Sequence, residues 1–134
     1  VDKYICDNNI YFNHLFHISG RYLINEKFNY SNFDNQYNNF KLAKEIKEKN
    51  PEINNYYYTC FYKIHYNYYE NYKYVTSKIL ENHNLILNSR GLEEILQNML
   101  LNLDNESFLN IDTLGITQNI SVWNKKHYSE QIYI

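Results

Sequence analysis

The chain has 134 residues, a formal net charge of −2 and a pI of about 6.2. That length supports one domain or two small lobes with a real core, and the weak charge argues against a polyanion-binding surface, so no nucleic acid is expected. With only 3 Gly and 1 Pro, a turn-rich all-β fold is disfavoured. The 16 Tyr and abundant Asn have the look of AT-rich coding, so the Tyr-rich run over 56–74 is not by itself a binding platform.

Residues 1–7 are ambiguous. Ile10, Phe12, Leu15 and Phe16 then fall on one helical face that stops at Gly20, a plausible cap. Asn25 is placed to cap a short helix through Tyr30, and Ser31 to Gln36 reads as loop. Tyr37, Phe40, Ala43 and Ile46 mark a helix ending near Lys49. Asn50-Pro51-Glu52 offers a cap, Pro at the first helical position and an acid behind it. Ile53, Tyr57, Phe61 and Ile64 follow at helical steps, and Tyr68, Tyr72, Val75 and Ile79 continue them. Two helices with a break near 66–72 are preferred over one, because that run holds few helix formers. The aromatics of 56–64 leave a strand there as the competing reading.

The stretch Asn88 to Leu114 is the most organised. Asn88 and Ser89 are capping types, and Glu93 and Glu94 suit a first turn. Leu92, Ile95, Leu96, Met99, Leu100 and Leu103 repeat at three- and four-residue steps. A polar loop at 104–107 leads into Phe108-Leu109-Asn110-Ile111-Asp112. Beyond Gly115, alternation over 116–123 permits a strand with 128–134 as hairpin partner. A last helix over 112–121 is the reading that the recurring pattern below favours.

Few residues point to chemistry. His14 and His17 are three apart, which on a helix would chelate, but no third ligand follows and no metal is expected. No Ser-His-Asp or Cys-His arrangement and no Gly-rich phosphate loop is visible, so the chain does not read as an enzyme. Cys6 and Cys60 do not make a disulfide framework, and reduced thiols are expected. Sequons at Asn29, Asn105 and Asn119 are near chance in so Asn-rich a chain. No run is apolar enough to cross a membrane as a helix, and no secretory leader is visible, so no membrane insertion is expected.

An outline of apolar helix, linker and capped helix recurs. It runs from Phe12–Phe16 through Gly20–Leu23 to Asn25-Glu26, and from Val75–Leu80 through Asn82–Leu87 to Asn88–Glu94. It resembles the calmodulin superfamily, and more closely the divergent myosin light chains of protozoan gliding motors. The likeness is clearest over Ser77 to Ile120, where K-I-L-E-N-H-N-L-I-L-N-S-R-G-L-E-E-I-L precedes L-D-N-E-S-F-L-N-I-D-T-L. The resemblance implies an all-α, two-lobed degenerate EF-hand architecture, with short β segments in the loops. Its N-terminal lobe would span 1–49, its C-terminal lobe 50–123, and an extension 124–134. A calcium loop needs alternating oxygen ligands, a Gly at the turn and a closing Glu. The stretches at 31–38, 65–76 and 104–113 lack that set, so no calcium and no other cofactor is expected.

The function so implied is a non-catalytic, calcium-independent, cytoplasmic and motor-associated light chain that stiffens a myosin heavy-chain helix. Its groove would be lined by Phe12, Leu15, Phe16, Tyr37 and Phe40 in one lobe, and by Ile79, Leu80, Leu96, Met99, Leu100 and Leu109 in the other. The plain alternative for each is ordinary core. The alternative function is a secreted or viral all-α effector that binds a host protein.

Overall fold

The structure, a computed structural model, describes residues 2–49, 57–81, 105–118 and 132–133. Among them the fold is mixed α/β, which overturns the all-α EF-hand expectation. The first sheet has the order β1-β4-β3-β5, with β1 at His14–Ile18, β4 at Phe61–His65, β3 at Asn38–Phe40 and β5 at Phe108–Asn110. The second has the order β2-β6-β7, with β2 at Tyr22–Ile24, β6 at Ile116–Gln118 and β7 at Ile132–Tyr133. Helices α1 (Asp2–Asp7) and α2 (Lys44–Lys49) are short, and α3 (Tyr69–Glu81) is the long one. Both sheets draw strands from either side of residue 50.

Strand β4 explains the architecture. Alternate side chains of a strand point to opposite faces. Phe61 joins Phe33, Leu114 and Ile116 in a core on one face, while Tyr62 and Ile64 join Phe40 and Val75 on the other. With both faces covered, the strand shows no polar alternation. Its apolar residues then fit helical steps by coincidence, which is why Tyr57, Phe61 and Ile64 read as a helix. The same holds for β1, whose Leu15 and Phe16 serve opposite cores. Antiparallel pairing sets Leu15 against Ile64 and Phe16 against Lys63.

Other helical expectations fail for local reasons. Asn25 accepts from the N–H of Lys27, forming an Asx turn rather than a helix cap. Tyr37 to Phe40 enters β3, and only 44–49 is helical. The supposed loop at 104–113 carries β5, paired in parallel with β3. Over 116–118 the hairpin reading matches, because β6 pairs with β7, and the helix over 112–121 is not formed there. The break near 66–72 is a 3-10 turn at Tyr66–Tyr68, after which α3 begins. The helix built on Leu96, Met99 and Leu100 lies outside the described residues.

Asn38 of β3 ties its two neighbouring strands together. Its Oδ1 accepts from the N–H of His65 at 2.9 Å, and its Nδ2 donates to Ser107 Oγ at 3.0 Å. Gly115 has φ +73°, and a Cβ there would lie 2.3 Å from Phe28 Cα. Its carbonyl accepts from the N–H of Asn25, so the 25–28 turn crosses directly over it. Gly115→Ala therefore incurs about 1–2 kcal/mol of left-handed backbone penalty and about 1–3 kcal/mol more from overlap. A thermal melt should show a large drop in Tm for this variant. Gly20→Ala, with open space around its Cβ, should leave Tm nearly unchanged; equal effects from both would contradict the packing of this crossing.

Candidate functional site

Among the described residues, a titratable row and an aromatic cleft are the places to weigh. The first is a row of titratable groups at one end of β1 and β4. Register sets His14 opposite His65, with ring centroids 5.6 Å apart. His14 Nε2 lies 3.2 Å from Asp34 Oδ1, so the ring proton belongs on Nε2. His14 Nδ1 is buried and has no hydrogen-bond partner among the described residues. His65 Nδ1 accepts from the N–H of Asn67 at 3.2 Å and so caps the 3-10 turn. Lys63, fully buried in mid-strand, donates from Nζ to the carbonyls of Asn35 and Tyr37 and to Asn35 Oδ1. The loop at 35–37 is thereby fastened to β4.

This environment shifts several groups. Burial lowers Lys63 to about 8, against the opposing pull of Asp34. Burial, then the charges of Lys63 and His14, lowers His65. His17 points to the opposite face from His14, because three steps along a strand reverse the side chain. It stacks on Tyr62 at 4.6 Å, and burial lowers its pKa. The chelating geometry that a helix would give this pair is therefore absent. No group of three His, Cys, Asp or Glu among the described residues could hold a metal ion. The row turns its polar atoms inward: His14 Nδ1 is buried, and the Lys63 ammonium is taken up by backbone carbonyls.

The second place is a cleft of about 200 Å³ between α1 and the start of α3. Helix α1 ends in a Schellman motif. Asn9 is left-handed at φ 51°, the N–H of Ile10 donates to Ile5, and the N–H of Asn9 donates to Cys6. That reversal carries Ile10 to Phe12 back along the cleft beside Ile5 and Cys6. Across from them the His65-capped turn presents Tyr66, and α3 contributes Tyr69, Glu70 and Lys73. Phe12 meets Tyr66 at 5.6 Å and 86°, and Tyr69 at 4.9 Å and 87°. Around this corner the surface is apolar and open: Tyr11 is 92% exposed, Tyr66 55% and Ile10 39%. A second cleft of about 240 Å³, near Lys41, Lys44 and Asp112, is polar and lacks aromatic walls.

Of the residues expected to form a groove, Phe12 alone among the described ones lines the cleft. Leu15 and Phe40 belong to the core under α3, and Phe16 to the core on the opposite face. Tyr37 is exposed, on the loop that Lys63 holds, and Leu109 is exposed on β5. Ile79 and Leu80 fall in the last turns of α3. Leu96, Met99 and Leu100 lie outside the described residues. Tyr66, Tyr69, Glu70 and the α1 residues were missed. The available signal was Asp7-Asn8-Asn9 after a short apolar run, a helix stop with Asn in place of Gly. No protein-family model, curated protein or solved structure matches the chain.

The shifts yield a pH profile. Lys63 releases its proton more readily folded than unfolded, so from about 8 to 10.5 the unfolded chain holds more protons and stability rises with pH. Tyr62 is the reverse. Burial, then Tyr72, holds its pKa above the ordinary 10.0, so stability falls above that value. His17 and His65, lowered from 6.5, contribute stability that is lost as pH falls below 6.5. Urea unfolding at stepped pH should show the gain between 8 and 10 in the native chain and lose it in Lys63→Met. A flat native profile over that window would contradict the burial of the charge.

Proposed function

We propose that the protein is a non-catalytic binding module that seats one side chain of a partner protein in the α1–α3 cleft. The observation that carries this reading is the exposed aromatic rim around a small aromatic corner. Cofactor and metabolite pockets occupy roughly 300–1,000 Å³. A cleft of about 200 Å³ is better matched to a single anchoring side chain. Anchors of this kind sit in packed pockets ringed by residues that exclude water. Tyr11, Tyr66 and Ile10 are placed to form such a ring.

The myosin light-chain reading drew its support from paired EF-hand helices, and the sheets found here remove that support. The module shares with it only the idea of holding a partner without chemistry. It shares with the alternative reading the engagement of another protein, on a fold that is not all-α.

Display of random peptides against the protein tests the proposal. Enriched sequences should share one anchor position, and their affinity should fall at least about tenfold, or 1.4 kcal/mol, in Tyr66→Ser. Tyr74→Ser, at an exposed tyrosine of α3 that does not line the cleft, should leave it unchanged. Absence of enrichment, or enrichment indifferent to Tyr66, would defeat the proposal.

A further inference from the structure

Resting on the docking reading above, we infer that the cleft recognises a cationic side chain of the partner, and that Lys73 fills the cation position until the partner arrives. Phe12 stands perpendicular to both Tyr66 and Tyr69, so the rings meet as the walls of a corner. Aromatic faces carry negative potential and attract cations within about 6 Å of the centroid. Lys73 Nζ lies 5.4 Å from the Tyr69 centroid. The same ammonium is 3.2 Å from Glu70 Oε1, across one helical turn. An aromatic face and a carboxylate thus converge on one point in the wall of an open cleft.

Lysines also lie over Tyr58 and Tyr74, from Lys41 and Lys78, and Lys78 pairs with Glu81 as well. Neither tyrosine lines the aromatic cleft. At Lys73 ring and carboxylate coincide with the aromatic cleft. The Lys73 side chain is 27% exposed and Glu70 81%, so the pair sits at the mouth, where an incoming cation can exchange with it. The chemistry selected is an organic cation on an aliphatic stem. An arginine would add a planar fork for Glu70, and a methylated lysine would rely on the rings. A leucine or phenylalanine anchor would make no use of Glu70.

Nuclear magnetic resonance titration with isolated side chains tests the inference on the full chain. The probes are N-acetyl-arginine amide, N-acetyl-trimethyllysine amide and N-acetyl-leucine amide. Either cationic probe should shift the ring signals of Phe12, Tyr66 and Tyr69. Lys73→Met should lower its Kd by about tenfold, because Glu70 and the Tyr69 face lose their internal cation. Glu70→Gln, a change at an exposed position, should raise that Kd independently, so the test does not depend on one variant. The leucine probe should respond to neither substitution. A preference of the arginine or the trimethyllysine probe identifies which cation is used. If only the leucine probe shifts the rings, the cation inference is overturned and the docking reading stands. An equal response of all three probes to Lys73→Met also overturns it. If no probe shifts the rings, both fail.

Discussion

Strand β4 has no solvent side, and the placement of nearly everything else follows from that constraint. Each of its residues must be accommodated in one of two layers. For Phe61, Tyr62 and Ile64 this is burial of apolar surface, worth about 1.5–3 kcal/mol per large side chain. For Lys63 it is a cost that must be offset. Two backbone carbonyls and an amide oxygen supply acceptors, and the loop at 35–37 is held against the sheet to supply them. Burial still lowers the Lys63 pKa to about 8, so its charged form is less favoured there than in water. Nearby, the buried side-chain amide of Asn39 finds no hydrogen-bond partner among the described residues.

The end of β4 connects this core to the cleft. His65 completes the pairing with β1 and then caps the turn that carries Tyr66. Three residues after Tyr66, Tyr69 is buried against Phe12. On the other side, the reversal at Asn9 aims the chain toward these rings. The cleft is therefore set by two chain stops, a left-handed Asn and a His-capped turn, rather than by a groove between long helices.

What was legible in the sequence follows the same physics. A helix through Val75 and a break before it were readable, because α3 is polar on one side and apolar on the other. The hairpin of β6 and β7 was visible as a competing pattern. The central strands were not. When both faces of a strand are buried, adjacent residues such as Leu15 and Phe16 are both apolar, and such pairs satisfy a period of 3.6 as well as a period of 2. Tyrosine abundance compounded the error, since Tyr74 is exposed while Tyr62 is fully buried. The candidate site was hidden for a further reason. Phe12 and Tyr66 are adjacent only because β1 and β4 pair, a contact between distant residues that a scan of local motifs does not reach.

The order of strands in the sheets also governs the order in which the chain can acquire structure. Strand β1 finds β4 only when residue 65 has been made, and β3 reaches its parallel neighbour only at residue 108. Strand β2 has no ladder until β6 emerges at 116–118. Pairings this far apart close large loops before any contact repays them, which slows folding. During synthesis, β2 must therefore wait with Leu23 and Ile24 unpaired while nearly a hundred further residues leave the ribosome, about 5–20 residues per second. That interval, of the order of 5–20 s at those rates, is when this chain is most exposed to association with other nascent chains.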